Sequence, residues 1–209
     1  MRGRKIGLTS RSVQELLDVH EPNFGVLLDD MFVDEGDEIC FDDLLQPRVE
    51  SELACLMASD LAGPGVTTTT ALAAVGGVLP AVEVVDSRIA DWRIRIADTV
   101  ADNASSARAV VGSRLVPATA VDLRLLGVLF SRNGSPIESG AGAAVLGNPV
   151  RCVAWLANKL GSLGGGLRRG DVVLSGALHR MVPVRPGDVF RARFAHLGDV
   201  TVQFSGGRP

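Results

Sequence analysis

Three carboxylates stand in two stretches of the sequence that could together hold a metal ion. Glu50 and Glu52 lie one residue apart in RVESELACL (48–56), and Glu83 interrupts a β-branched run. In a strand, Glu50 and Glu52 would face the same side, with Cβ atoms roughly 7 Å apart. Two such carboxylates repel on a partly buried face unless a cation joins them. A third one meeting them would complete an all-oxygen site with open positions, as Mg²⁺ or Mn²⁺ prefers when it must also hold a substrate.

The same carboxylates also fit plainer interpretations. Residues 48–61 can form a helix, in which Glu50 and Glu52 point about 200° apart and are solvated in the first turns. An isolated Glu83 in a strand is typical of an edge position, or of a pair with a nearby cation such as Arg88. These residues alone therefore leave helix and strand open.

Composition indicates a globular protein and excludes several functional classes. The 209 residues, 46% hydrophobic and 22% charged, suffice for one domain with a sizeable core. A net charge of −3 and 4% aromatic residues without tyrosine argue against nucleic acid and anionic membranes as partners. No apolar run matches a signal peptide or a membrane span. Three scattered cysteines, Cys40, Cys55 and Cys152, predict reduced thiols in a cytoplasmic protein.

The order of predicted elements indicates an α+β class in a single domain. We predict helices over residues 11–20, over 67–76 with a threonine cap and closing glycines, and over 149–160. A strand over 78–85, a hairpin at Asn133-Gly134 and three short strands in the last third are predicted from β-branched runs and turn residues. The acidic stretch 34–43 is predicted to be a loop, with a short strand possible at 39–41.

Six motifs give the chain a resemblance to a known family. These are RKIGLTS (4–10), EPNFGVLLDDMF (21–32), LLQPRVESELA (44–54), LAGPGVT (61–67), VEVVDSRIADW (82–92) and DTVADNASS (98–106). In this order they resemble the 2-hydroxypenta-2,4-dienoate hydratases (2-keto-4-pentenoate hydratases), which share a superfamily with 4-oxalocrotonate decarboxylase and the fumarylacetoacetate hydrolases. The resemblance covers nearly the whole chain.

The resemblance implies a fold and a set of site residues. The fold is a mostly-β rolled barrel of the fumarylacetoacetate hydrolase C-terminal type with a few peripheral helices, which makes residues 48–56 a strand. Its metal ligands would be Glu50, Glu52 and Glu83, with Mg²⁺ or Mn²⁺ as the cofactor. Lys5 matches an active-site lysine and Ser105 a substrate-contacting serine. Asp86 would face away from Glu83 in a regular strand.

The implied activity is metal-dependent hydration of 2-hydroxypenta-2,4-dienoate to 4-hydroxy-2-oxopentanoate, in the breakdown of aromatic or steroid rings. Decarboxylation of 2-oxo-3-hexenedioate by the same metal site is the alternative. The partners implied are a small 2-hydroxydienoate or 2-oxo acid substrate, further copies of the chain in a homo-oligomer, and an aldolase or decarboxylase of the same pathway.

The chain departs from the family pattern in two places. Asn23 stands where relatives carry an aspartate with a role in acid–base chemistry, and an amide cannot exchange a proton near neutral pH. Asn23 is therefore expected either to reduce hydratase activity or to be tolerated as an ordinary turn residue. The family's N-terminal helical segment is expected to be missing from the single catalytic domain 1–209, which would leave Lys5 at a poorly ordered end. A weakly active homologue that serves as a partner subunit is the third functional hypothesis.

Overall fold

The computed structural model describes residues 2–10, 14–15 and 19–207 and is built mainly of strands. The strands are Gly3–Gly7 (β1), Asn23–Leu27 (β2), Phe32–Val33 (β3), Glu38–Ile39 (β4), Arg48–Met57 (β5), Val75–Val85 (β6), Ser106–Val111 (β7), Gly127–Arg132 (β8), Ser135–Ala141 (β9), Val172–Leu174 (β10), Val182–Pro183 (β11), Val189–Phe194 (β12) and Gly198–Phe204 (β13). The α-helices in the described part are Thr68–Ala74 (α1), Ile96–Ala101 (α2) and Pro149–Ser162 (α3). The predicted α+β class with mostly β structure is confirmed.

Two sheets form the body of the protein. The larger follows the order β2-β1-β10-β5-β6-β7-β3, with β11 also paired to β5, and curls into a half-barrel. The smaller follows the order β4-β13-β12-β8-β9, and its strands β12 and β13 pack against β6. Strand β12 shows the resulting alternation, because Phe190, Ala192 and Phe194 are buried while Arg191 and Arg193 are exposed.

Strand β5 separates the main core from a second face of the large sheet. Its odd-numbered apolar residues, among them Val49 and Leu53, belong to the main hydrophobic core. Ala54, on the other face, packs in a smaller apolar cluster with Ala81 of β6 and Leu174 of β10. Because side chains alternate along a strand, Glu50 and Glu52 lie on this second face. The strand interpretation of residues 48–56 is therefore confirmed.

The predicted turns in the second half of the chain are confirmed. Strands β8 and β9 form an antiparallel hairpin, and Asn133 and Gly134 between them both adopt positive φ, 51° and 82°. Asp171 and Asp188, before β10 and β12, each accept a hydrogen bond from a backbone amide three residues earlier, at 2.8 and 2.9 Å. The three predicted strands of the last third follow as β10, β12 and β13.

Helix predictions hold for two of three segments. Thr67 caps α1 as expected, accepting a hydrogen bond from the Thr70 amide. The prediction that Gly76 closes this helix is wrong, because the chain passes directly into β6, which contains Gly76 and pairs with β5. Helix α3 runs to Ser162, slightly beyond the predicted end. The helix predicted over 11–20 lies largely outside the described residues.

The three cysteines form no disulfide bonds. Cys40 is exposed, Cys55 and Cys152 are buried, and all three are free thiols. Among the described residues, no helix has the length and apolar character needed to cross a membrane. The short strand possible at 39–41 is found as β4, and the acidic stretch around it is otherwise irregular.

Candidate functional site

Pairing of β5 with β6 brings the three glutamates together. Glu50 lies directly opposite Glu83 in the antiparallel register, and Glu52 is the next residue of β5 on the same face. One carboxylate oxygen from each of the three lies within 4.8 Å of the others. Glu83 is not an edge residue, because β6 is paired on both sides, with β5 and β7. It does not pair with Arg88, whose guanidinium instead binds Asp102.

This carboxylate cluster is largely removed from water. Glu83 and Glu52 are 0% and 1% exposed, and Glu50 is half-buried. The Gly176 amide donates to Glu52 Oε2 at 2.7 Å, and the Ser106 hydroxyl donates to Glu83 Oε1 at 2.7 Å. Glu52 Oε1 has no hydrogen-bond partner among the described residues although it is buried. A buried, unpartnered carboxylate oxygen beside two further carboxylates is what a cation-binding site requires.

Lys5 supplies the nearest positive charge. Its side chain is 4% exposed, and Nζ lies 3.2 Å from Glu83 Oε2 and 3.0 Å from the Ala104 carbonyl oxygen, to which it donates. Burial lowers the pKa of Lys5, but the charges of Glu83, Glu50 and Glu52 outweigh it and hold the pKa above its ordinary value. Lys5 is therefore an ammonium ion in this site.

The expectation that Lys5 lies at a poorly ordered end is wrong. Strand β1 is an inner strand of the large sheet, antiparallel to β2 on one side and parallel to β10 on the other. Gly3 fits directly against β10, where an added Cβ would come within 2.0 Å of the Val172 carbonyl oxygen. Backbone pairing on both sides therefore fixes the position of Lys5 in the sheet.

Burial and repulsion within the cluster raise the pKa of two of the carboxylates, those of Glu50 and Glu52. Burial, opposed by Lys5 and reinforced by Glu83, raises the pKa of Glu50 to about 7. Burial together with the charges of Glu83 and Glu50 raises the pKa of Glu52 well above its usual range. Without a further cation, the site thus favours uptake of protons near neutral pH. A divalent cation bound to the same oxygens would displace them.

A cavity of about 350 Å³ opens beside the cluster. Glu50 and Lys5 line it together with Asn23 and Ser105, so the three non-ligand residues predicted from the sequence all reach the same space. The rest of the wall is mostly apolar and includes Trp92, Ile94, Leu178 and Met181. The cavity therefore combines a charged region with apolar walls, as sites for small organic acids do.

Asn23 is not an ordinary turn residue. It begins β2, is 5% exposed, and neither its amide oxygen nor its amide nitrogen has a hydrogen-bond partner in the described part of the protein. The cross-strand neighbour of Asn23 is Gly7, and a Cβ there would lie 2.4 Å from Asn23 Oδ1. A buried amide without partners on a cavity wall can donate to and accept from a ligand or water.

Ser105 is held in an uncommon backbone conformation. Asn103, Ala104 and Ser105 all have φ between 52° and 56°, in the left-handed region, which costs on the order of 1 kcal/mol for each such residue. The Asn103 side chain offsets this by bonding both the amide and the carbonyl of Val26, at 2.7 and 2.9 Å. This turn presents the Ala104 carbonyl to Lys5 and places Ser105, 3% exposed, on the cavity wall.

Several residues that support the glutamates were not predicted from the sequence. Ser106 and Gly176 hold two of the glutamates, as described, and His179 Nε2 accepts from the Ser51 amide at 3.2 Å, between Glu50 and Glu52. Asp86 has a different role from metal binding, since its carboxylate accepts from the amides of Leu45 and Gln46 at 2.9 and 2.7 Å. Asp86 thereby fixes the loop that leads into β5.

The chain is similar to one enzyme family along nearly its whole length. The family model described as fumarylacetoacetate (FAA) hydrolase C-terminal matches residues 3–205. The chain is 50% identical over 203 residues to the TodF product hydratase of Pseudomonas putida F1, covering 97% of this chain and 76% of the relative. It is 48% identical over 202 residues to a 2-keto-4-pentenoate hydratase of Paraburkholderia xenovorans LB400, covering 97% and 75%.

A solved structure matches almost the whole fold. The 4-oxalocrotonate decarboxylase of Pseudomonas putida G7, complexed with magnesium and adipate, superimposes with a TM-score of 0.95 at 39% identity, covering 98% of this chain and 78% of that one. The predicted family, rolled β fold and enzyme class are confirmed by these matches. The protein therefore belongs to the fumarylacetoacetate hydrolase family.

Proposed function

We propose that the protein catalyses the divalent-metal-dependent hydration of 2-hydroxypenta-2,4-dienoate to 4-hydroxy-2-oxopentanoate. The observation that carries this proposal is the buried cluster of Glu50, Glu52 and Glu83 beside Lys5, at one side of a cavity with apolar walls. Hydratases about 50% identical over nearly the whole chain support the reaction. A cavity of about 350 Å³ is in the range typical of small-molecule sites.

The residues present suit a divalent cation. Three carboxylates and one ammonium group leave two uncompensated negative charges when all are ionised, and Glu52 retains an unpartnered oxygen. Glu50, Glu52 and Glu83 would be the ligands, and oxygen donors favour Mg²⁺ or Mn²⁺. When bound, such an ion would hold the substrate carboxylate and 2-oxygen and stabilise negative charge on the 2-oxygen.

Lys5 and Asn23 have different roles in this proposal. Conversion of the dienol to the conjugated 2-oxo-3-enoate removes the 2-hydroxyl proton and adds a proton at the terminal carbon; water then adds at the carbon remote from the carbonyl. Lys5, an ammonium ion 3.2 Å from Glu83, would hold the substrate carboxylate or deliver a proton. Asn23 can orient substrate or water by hydrogen bonds but cannot exchange a proton.

Decarboxylation of a C6 diacid is the second candidate, supported by the decarboxylase structure that contains magnesium and adipate. A second substrate carboxylate would need a cation on the cavity wall, where Arg180 lies. The Arg180 guanidinium already pairs with Glu138, and its side chain is 84% exposed, which argues against this role. Trp92, Ile94 and Met181 offer apolar surface to the substrate instead. These walls favour a monoacid with an uncharged end.

The hydration proposal predicts that purified protein with Mn²⁺ or Mg²⁺ removes the dienol absorbance of freshly prepared 2-hydroxypenta-2,4-dienoate. Asn23→Asp should raise kcat, because a carboxylate at this position can exchange protons, and Lys5→Met should lower it by at least about 100-fold. Release of carbon dioxide from 2-oxo-3-hexenedioate at a higher kcat/KM would instead assign the decarboxylase activity. Absence of turnover in the wild type, with turnover in Asn23→Asp, would support the weakly active partner subunit.

The metal-site proposal predicts that Glu52→Gln weakens Mn²⁺ binding by about 100-fold or more, since even residues that only support a ligand contribute 10–100-fold. Glutamine mimics the protonated side chain, so the melting temperature of the metal-free variant should not fall. Titration calorimetry measures the affinity. The matched control is Glu21→Gln, which removes an exposed partner of Lys159. Equal Mn²⁺ affinity in Glu52→Gln and the wild type would exclude Glu52 as a ligand.

Metal affinity should also depend on pH with a defined sign. The ligands bind metal when deprotonated, and the pKa of Glu50 is about 7 in the metal-free protein, so protons compete below that value. Apparent Mn²⁺ affinity should fall about tenfold per pH unit below 7 for each proton displaced. Calorimetry in two buffers of different ionisation enthalpy counts these protons. Binding without proton release at pH 6 would contradict the raised pKa.

We also propose a cytoplasmic homo-oligomer with one catalytic domain in each chain, working beside an aldolase or decarboxylase that consumes or supplies 2-oxo acids. Three reduced cysteines suit the cytoplasm. Leu45, Leu125 and Leu163 are 67–76% exposed and offer apolar surface for contacts between copies. Light scattering should give a mass of at least twice the 21.9 kDa of one chain. A purely monomeric protein at micromolar concentration would contradict the oligomer.

A further inference from the structure

Ser105 faces the cavity with a hydroxyl whose proton is already engaged. Its Oγ donates to Asp102 Oδ2 at 3.0 Å, and its backbone amide donates to the Asp102 carbonyl oxygen at 2.9 Å. A serine hydroxyl has one proton to donate and two lone pairs that accept. An ionised carboxylate only accepts, so the proton of this hydrogen bond must come from Ser105.

Asp102 is itself held firmly in an accepting role. Arg88 Nε lies 2.5 Å from Asp102 Oδ1, and the Arg88 amide and the Ser87 hydroxyl donate to Oδ2 at 3.3 and 3.4 Å. The Asp102 side chain is 7% exposed, whereas that of Arg88 is 43% exposed. Arg88 also donates to the carbonyl oxygens of Asp86, Ser106 and Asp102, which fixes its guanidinium.

The backbone leaves Ser105 little freedom to choose another partner. It is the third successive residue with positive φ, and its carbonyl oxygen accepts from the Asp86 amide at 2.8 Å. Hydrogen bonds at its amide, its carbonyl and its hydroxyl thus fix both the residue and the direction of its proton. The lone pairs of Oγ are what remains for the cavity.

We propose that Asp102 is a positioning residue that accepts a hydrogen bond from the hydroxyl proton of Ser105. Toward the cavity, Ser105 Oγ then acts solely as a hydrogen-bond acceptor. This inference rests on the proposed hydration. Of the reactants in the hydration step, the one that Ser105 accepts from is the water to be added, because the carboxylate and the 2-oxo oxygen of the substrate have no proton to donate. Accepting from this water would orient its oxygen lone pair toward the carbon remote from the carbonyl.

A double-mutant cycle in the Mn²⁺-loaded protein tests the inference. Ser105→Ala and Asp102→Asn should each lower kcat by about 10- to 100-fold with KM changed less than about threefold, because water is misplaced while the substrate remains bound. The double variant should be no slower than Ser105→Ala alone, since Asp102 acts through Ser105. Losses that multiply in the double variant would overturn the inference and leave the hydratase proposal intact.

Two variants control for structural effects. Asp98→Asn makes the same change one turn earlier, at a side chain that caps the Arg95 amide and does not line the cavity, and it should keep wild-type kcat. If Asp102→Asn does not fold, Asp102→Glu takes its place in the cycle, because it keeps the negative charge beside Arg88 and moves the carboxylate relative to Ser105. Its loss of kcat should likewise vanish in the Ser105→Ala background, and a loss that persists there would count against the inference.

A crystal structure of the Mn²⁺-loaded wild type separates this inference from the proposed function. The inference predicts an ordered water within hydrogen-bond distance of Ser105 Oγ while the contact with Asp102 is kept. A Ser105 hydroxyl rotated away from Asp102 would overturn the inference whether or not the protein hydrates the dienoate. Absence of turnover together with the predicted water would reject the function but support the geometry.

Discussion

Repulsion among three largely buried carboxylates is the constraint on which the rest of this structure depends. Pairing of β5 with β6 forces Glu50, Glu52 and Glu83 together, and removing such charges from water is costly unless opposite charge accompanies them. Lys5 compensates one charge. The other two are left to protons, which the raised pKa of Glu50 and Glu52 reflects, or to a divalent cation.

The fold positions both the negative and the positive members of this site through backbone pairing. Glu50 and Glu83 are opposite residues of adjacent central strands, and Lys5 lies on an inner strand of the same sheet. Gly176, at φ 108°, brings its amide to Glu52 in a conformation that few other residues adopt. The geometry therefore belongs to the rigid part of the molecule, as preorganised electrostatics require.

Features that depend on neighbouring residues could be predicted from the sequence, whereas contacts between distant segments could not. The spacing of Glu50 and Glu52 allowed a shared strand face, and Glu83 stood out as an acid in a β-branched run. The family resemblance led to Lys5, Asn23 and Ser105. Local patterns also gave the Asn133-Gly134 hairpin and the Thr67 cap, because a turn and a cap depend on adjacent residues. The prediction that Gly76 ends a helix was wrong, although glycine is typical of helix ends, because the segment pairs with β5 as a strand.

Contacts between distant segments were out of reach of such patterns. The Gly176 amide on Glu52 joins residues 124 positions apart, and the burial of Lys5 depends on a parallel neighbour, β10, from the last third of the chain. Likewise, Asp102 acquires its role only because the left-handed turn at 103–105 folds Ser105 back onto it. These contacts arise from the three-dimensional fold and leave no local pattern in the sequence.

We propose that Glu50, Glu52 and Glu83 share one divalent ion. Anomalous diffraction from Mn²⁺-soaked crystals tests it most directly. Shared binding by the three glutamates predicts a single strong peak within about 2.0–2.2 Å of one oxygen each from Glu50, Glu52 and Glu83. A peak elsewhere in the protein, with the three glutamates bound only to Lys5, Ser106 and Gly176, would contradict it.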